Sequence, residues 1–397
     1  MNTGAMRHLI ADRASAGPEA RVVRLLGARG VLSPSEIAKA TGLARSTISG
    51  VLAELRRSGM VVETETPTGR RAVGRPSTAF KLNPEAGTCV GLHLGPEALR
   101  FIVADVSHSV IFEETLELGL DYSPKAAAQA ARAAVKRAYK RNGLPPRGLL
   151  GVGVSVSGPV APDGRVQRAS MVPTWAGVNI RDVFGPALDQ PIFADNESNC
   201  AAIAEMTWGA AVGHEDFVLF KHDLGVGGAI VVRGRVVTGA AGGAGEFGHM
   251  TIDPEGGLCR CGNRGCLELS ASFAPVLEIA ARRFKRILTI DDLIALARRG
   301  DVGAERLIAD AAQRAGRGLG VIGTLLNPPL FVIAGRGALA GDLLLRPLME
   351  SYERHTLIRR GDVPDALAPK FALGHFIEND SLMGAVGLVL RHHGRLG

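Results

Sequence analysis

The chain has 397 residues, 46% of them hydrophobic, with 51 Gly and only 5% aromatics. That length and apolar content support two or three domains with a sizeable core and exclude a disordered or fibrous chain. No run reaches the ~20 apolar residues of a membrane span, and no basic-then-apolar leader opens the sequence, so the expected setting is the cytoplasm with no membrane partner. The net charge is +7; residues 1–82 hold 13 Lys and Arg against 6 Asp and Glu, while the remainder balances at 33 of each. A small basic module beside a neutral one is the electrostatic footprint of nucleic-acid binding, with a solvated basic surface as the plainer alternative.

Residues 18–28 place Val22, Leu25 and Leu26 at helical spacing, with Pro18 near the start. Ser33 or Ser35 is positioned to cap a second, short helix through Glu36, Ile37, Ala38 and Ala40, which Gly42 ends in a tight turn. A third helix starts near Ala44, with Ile48, Val51, Leu52 and Leu55 on one face and Gly59 closing it. Two short β-like runs follow, 60–65 and 78–82, around the Gly- and Arg-rich segment PTGRRAVGRPS. Helix, helix, turn, helix and basic hairpin is the pattern of a winged helix-turn-helix. Asn83-Pro84 marks its boundary, giving a DNA-binding domain over 1–82 and a second domain over 83–397.

The expected partner of the first domain is a double-stranded DNA operator. Arg45, Ser46, Thr47 and Ser49 cluster at the start of the third helix, where short polar side chains and an Arg reach base edges in the major groove and Gly50 leaves room for close approach. Gly74-Arg75-Pro76 matches the short hooks that insert Arg into a narrow minor groove, and Arg70 and Arg71 add phosphate contacts. The competing readings are an ordinary three-helix packing unit and an ordinary basic hairpin.

From Gly87 onward, strand-like runs (89–94, 99–105, 149–155, 217–220, 229–232, 330–333) alternate with Ala-rich helical stretches (124–141, 198–206, 304–326). This alternation argues for an α/β domain, and its length for two lobes with a cleft. Within it, Glu246-Phe247-Gly248-His249 precedes Cys259, Cys261 and Cys266. One imidazole and three thiolates form the closed four-ligand set of a structural Zn²⁺ site, and Gly262 and Gly265 permit the turns it needs. An odd total of five cysteines argues against a disulfide framework; free buried cysteines beside an unrelated His are the alternative.

With its E-x-G-H and C-x-C-G-x-x-G-C-x-E elements, the chain resembles transcriptional regulators of the ROK family (repressors, open reading frames and sugar kinases) over residues 18–397. The resemblance implies a winged helix-turn-helix followed by an actin-like, sugar-kinase-like two-lobed domain, a structural zinc, and homodimers or homotetramers. It also implies sugar contacts from Glu246, His249 (a zinc ligand whose ring lies against the sugar), Glu268 and Asn196, the last within Asp195-Asn196-Glu197-Ser198-Asn199, and so a sugar or sugar-derivative effector.

Three departures from the family's kinases point to lost phosphoryl transfer, so no catalytic residue is expected. The first phosphate loop, D-x-G-G-T in kinases, reads His93-Leu94-Gly95-Pro96-Glu97; Pro96 has no N–H to donate and Glu97 is negative. The second, resembling L-G-T-G-x-G, reads His222-Asp223-Leu224-Gly225-Val226-Gly227, with Asp223 hostile to an anion. The catalytic Asp position carries Glu197, whose extra methylene displaces the carboxylate and leaves it a sugar-binding role. The family's N-x-P-G-W-like stretch is Met171-Val172-Pro173-Thr174-Trp175 here, which alters the sugar contacts. The resulting reading is a sugar-responsive repressor. The alternatives are a sugar kinase with a DNA-binding arm and a regulator that no longer senses free sugar.

Overall fold

The computed structural model describes residues 17–65, 78–145, 148–168 and 171–393. It opens with α1 (Pro18–Arg29), α2 (Pro34–Thr41) and α3 (Arg45–Arg57). Ser33, not Ser35, caps α2 through a reciprocal box. Its hydroxyl accepts the Glu36 N–H at 3.4 Å, and the Glu36 carboxylate accepts the Ser33 N–H at 2.9 Å. Gly42 ends the helix at φ 69°, a left-handed conformation that costs a side chain dearly. Val22, Leu26, Ile37, Ile48, Val51, Leu52 and Leu55 form the buried seam between the helices. Strands β1 (Val61–Glu65) and β2 (Thr78–Leu82) pair antiparallel beside them as the wing.

The described residues divide into two compact units, those up to Trp208 with those from Ser381 onward, and Gly209–Asp380. Besides the winged helix, the first unit holds β3 (Thr88–Leu94), β4 (Ala98–Asp105), β5 (Val110–Glu117), β6 (Leu149–Val156) and β7 (Ile192–Asn196), in the order β5-β4-β3-β6-β7. The β3, β4 and β5 run is antiparallel, while β6 and β7 add parallel to β3. Helices α4 (Pro124–Arg141) and α5 (Ile180–Leu188) lie between these strands in sequence, and α6 (Glu197–Trp208) follows β7. One face of the sheet (Val90, Leu92, Val152, Val154) is buried with Ala127, Ala131, Ala134 and Ala138 of α4. Strand side chains alternate in direction, so Gly91 and Gly153 serve the other face, where the C-terminal helix approaches the backbone directly.

The second unit contains β8 (Phe217–His222), β9 (Val226–Val232), β10 (Arg235–Val236), α7 (Glu268–Ala271), α8 (Phe273–Phe284), α9 (Ile290–Arg298), α10 (Val302–Leu326), β11 (Leu330–Ala334), α11 (Asp342–His355) and β12 (Lys370–Leu373). The last helix, α12 (Asp380–His393), returns the chain to the first unit. The second sheet runs β10-β9-β8-β11-β12 and repeats the plan of the first: three antiparallel strands, then two parallel additions. This duplicated plan is the actin-like, sugar-kinase-like fold. Among the described residues, no helix is long and apolar enough to cross a membrane.

Candidate functional site

The start of α3 presents Arg45, Ser46 and Ser49 as exposed and Thr47 as half-buried. Ser49 Oγ donates to the Arg45 carbonyl at 3.1 Å, leaving its lone pairs outward. The N-cap residue, Ala44, offers no side-chain acceptor, so the first-turn amides are left for an outside partner such as a phosphate. Arg70, Arg71, Gly74, Arg75 and Pro76 lie outside the described residues.

In the second unit, His249, Cys259, Cys261 and Cys266 converge, with all four ligand atoms within 4.8 Å of one another. His249 Nδ1 stands 3.6 Å from Cys259 Sγ, and Cys261 Sγ stands 3.6 Å from Cys266 Sγ. A disulfide requires about 2.05 Å. Two thiolates each about 2.3 Å from one tetrahedral ion lie about 3.8 Å apart, so the spacing fits a shared metal. The loop is shaped by a turn from Cys259 to Gly262 and by Gly265, at φ 62°, where any Cβ would strike the Asp253 carbonyl.

The carboxylates read as sugar acceptors flank this centre. Glu246 directly precedes the 3-10 turn Phe247–His249 that delivers the His ligand. Glu268 Oε1 accepts from Arg260 Nε at 3.1 Å, and its Oε2 accepts the Val226 N–H at 3.2 Å. Glu268 therefore ties the cysteine loop to β9, a link that sequence spacing did not reveal. His249 thus directs Nδ1 at the cluster.

Asn196 and Glu197 belong to the first unit. Asn196 ends β7, and its Oδ1 caps α6 by accepting the Ser198 N–H at 2.7 Å and the Asn199 N–H at 3.3 Å. Glu197 Oε2 lies 3.4 Å from Ser157 Oγ and 4.0 Å from His93 Nε2. His93 Nδ1 in turn lies 3.2 Å from Ser155 Oγ and 3.5 Å from Ser381 Oγ. The altered first-loop position and the altered catalytic position thus meet each other, and the longer reach of Glu over Asp serves that contact. Neither this pairing nor the part of Ser155 and Ser157 is legible in the sequence.

Asp195 was also missed as a titrating group. Burial pushes its carboxyl up to about 6, against the pull of hydrogen bonds from Asn199 Nδ2 and the Asn196 N–H. A raised folded-state value stabilises the fold at low pH, and this contribution is lost as pH rises from 3.8 through about 6. The side chain keeps a partly exposed edge, so the loss is bounded at about 3 kcal/mol. Denaturant unfolding between pH 4 and 6.5 is expected to show wild type losing stability relative to Asp195→Asn. Parallel pH profiles would refute the assignment.

At the second loop, Asp223 Oδ1 accepts the Leu224 N–H at 2.8 Å and Oδ2 accepts the Arg336 N–H at 2.9 Å. These are backbone donors of the kind that cradle phosphate, here taken by an internal carboxylate. The Arg336 guanidinium pairs with Asp291 and, at 3.6 Å, with Glu378. His222 is fully buried with Nε2 against the Ala271 carbonyl at 2.6 Å, and burial lowers its pKa and keeps the ring neutral. Thr174 donates to the Tyr122 carbonyl at 3.0 Å and Trp175 stacks on Phe184, so this stretch is anchored in the first unit's core.

A winged helix-turn-helix, a duplicated sugar-kinase-like fold and a His-Cys₃ cluster define a regulator-type member of the sugar-kinase-like proteins. The ROK family pattern matches residues 89–392, and a MarR family pattern matches residues 16–72. The chain belongs to the ROK family. It is 26% identical to the xylose repressor of Caldicellulosiruptor bescii over 83% of this chain and 85% of that protein. It is 33% identical to a glucokinase of Halalkalibacterium halodurans over 54% of this chain and 69% of that protein. A crystal structure described as a ROK family transcriptional regulator, homologous to the E. coli Mlc protein, superposes with a TM-score of 0.73 at 22% identity, covering 95% and 96% of the two chains.

Proposed function

We propose that this protein is a sugar-responsive, DNA-binding transcriptional repressor of a carbohydrate uptake or catabolism operon, acting in the cytoplasm as a homodimer or homotetramer. In this reading Arg45, Ser46, Thr47 and Ser49 contact the operator, with Arg70, Arg71 and the Gly74-Arg75-Pro76 hook gripping phosphate and minor groove. Glu246, His249, Glu268, Asn196 and Glu197 bind the effector, and a structural Zn²⁺ on His249, Cys259, Cys261 and Cys266 shapes the sugar-binding loop. Kinase activity is absent.

One observation carries the reading: the residues implied to bind sugar are retained while the phosphate-loop positions are engaged internally, Asp223 by the Leu224 and Arg336 amides and His93 beside Glu197. Such a protein still binds a sugar but has no cradle for the phosphoryl donor. Binding two states with different affinity is then enough for a sugar to shift DNA binding.

The test selects genomic fragments bound by the purified protein, then titrates the enriched DNA with D-xylose, D-glucose and N-acetylglucosamine. An inverted repeat beside a carbohydrate operon, released by one sugar, supports the proposal. Calorimetric binding of that sugar should fall by at least about 10-fold in Glu246→Ala, which leaves a buried hydroxyl unpaired. The glucokinase relative favours a second reading, a kinase with a DNA-binding arm. ATP consumption with a hexose would support it instead. Specific operator binding that no sugar modulates would favour a regulator that has lost its effector, consistent with the anchoring of Thr174.

A further inference from the structure

Helix α6 joins the two functional ends of the first unit. Its N-terminus is Asn196-Glu197, where Asn196 Oδ1 caps the first turn and Asp195 holds Asn199 Nδ2 at 2.7 Å. Its last residue, Trp208, is also the last residue before the chain crosses into the second unit. A helix of 12 residues spans about 18 Å and moves as a rod.

Trp208 is buried, 9% exposed, and its neighbours come from three separate elements. Its ring stacks on His108 from the β4–β5 turn, centroids 5.1 Å apart and planes at 28°. A Cβ at Gly27 of α1 would lie 3.9 Å from the indole Nε1 and 3.6 Å from Leu82 at the base of the wing. A Cβ at Gly387 of α12 would lie 3.7 Å from the six-membered edge of the same indole. One large rigid side chain thus lies between the DNA-binding helices and the C-terminal helix at ordinary contact distance from both. The rest of α6 is fixed to α12 at backbone distance, since a Cβ on Gly384 would strike the Cys200 carbonyl.

We propose that Trp208 is the positioning residue that carries the effector signal into the DNA-binding module: a shift of α6 set at Asn196 reaches α1 and the wing through the indole. This rests on the sugar-responsive reading above and adds the route. Trp208 is none of the residues assigned above to sugar or DNA. Its removal therefore separates two quantities that a generally damaged protein would lose together, the affinity for each ligand and the coupling between them.

The experiment uses the full-length protein, the genomic DNA fragment it selects, and D-xylose, D-glucose and N-acetylglucosamine as probes. In wild type, the responsive sugar weakens DNA binding by about 5- to 150-fold, the usual range of such coupling. In Trp208→Ala the shift is expected to fall below about 3-fold, with sugar affinity and sugar-free DNA affinity each within about 3-fold of wild type. Trp208→Phe, which keeps an aromatic ring at the contact, should restore most of the shift, and Gly27→Ala, which has room for its methyl group, should change nothing. A full shift retained in Trp208→Ala overturns the proposal. Should Trp208→Ala fail to fold, Trp208→Leu carries the same comparison.

A second readout separates failure of the route from failure of the sugar-responsive reading. The chain has two tryptophans, so in a Trp175→Phe background Trp208 is the sole emitter. If no probe sugar alters wild-type DNA binding, the sugar reading fails. The route is then judged by whether the selected DNA alone shifts Trp208 emission: a shift supports it, and unchanged emission at saturating DNA overturns it.

Discussion

Cys266→Ser is expected to empty the metal centre and to cost the second unit more than about 4 kcal/mol of stability, a loss of the size reserved for broken metal sites and disulfides. Cys266 is buried, 1% exposed, and its sulfur lies 3.6 Å from that of Cys261, so a serine leaves both an incomplete ligand set and a buried hydroxyl. Because the ligands come together only in the fold, the free energy of binding the metal is itself folding free energy. Elemental analysis should find one zinc per wild-type chain and none in the variant, and chelator should lower the wild-type melting temperature toward that of the variant. Cys200→Ala, at a buried cysteine outside the cluster, should keep its zinc. A metal-free wild type, or a melting curve indifferent to chelator, would remove the site. The effect reaches function through Glu268, which directly follows Cys266-Leu267 and whose carboxylate is held by Arg260 of the same loop. Loss of the metal should abolish the sugar response while leaving α3 folded and DNA binding measurable.

The contrast between legible and illegible parts of this molecule follows sequence distance. Helices α1 to α3 were readable because their ends are local events: Pro18 at the first turn, the Ser33–Glu36 box and the left-handed Gly42 all act within four residues. The metal set was readable because three ligands fall within eight residues and the chemistry of His-Cys₃ admits few uses. Strand β7 escaped notice although it delivers Asn196, because five residues between a turn and a helix carry no periodicity long enough to register. The pairing of His93 with Glu197 joins ends of β3 and α6 that only the parallel addition of β6 and β7 brings near. Each substitution alone reads as a damaged kinase residue; together they form a contact.

The division into units has the same origin. Alternating strands and helices predict an α/β domain and its length two lobes, but nothing local shows that α12, at the far end of the chain, belongs with the sheet of β3 to β7. That information resides in glycines whose partners are hundreds of residues away. Gly91 and Gly153 meet the backbone of Leu382 and Ala385, and a reading by propensity treats them as weak strand residues.

Those contacts make Gly153→Ala, with Gly384→Ala, among the most damaging single methyls to add in the first unit. The new Cβ would sit 1.8 Å from the Ala385 carbonyl oxygen and 2.5 Å from its carbon, both main-chain atoms of α12 that no rotamer change can move aside. Gly384→Ala would place its Cβ 1.7 Å from the Cys200 carbonyl of α6, and so prise apart the same layer from the other side. Overpacking usually costs about 1–3 kcal/mol, and backbone against backbone belongs at or beyond the top of that range. Both variants should unfold at markedly lower denaturant than wild type, with Gly153→Ala losing at least about 3 kcal/mol. Gly50→Ala is the control: its Cβ meets nothing within 4 Å on the exposed side of α3, and replacing a helical glycine should add about 0.5–1 kcal/mol. A Gly153→Ala protein of wild-type stability would mean that α12 does not lie on this sheet. The proposed signal route through α6 would then lose its brace, because α12 supports that helix between Asn196 and Trp208.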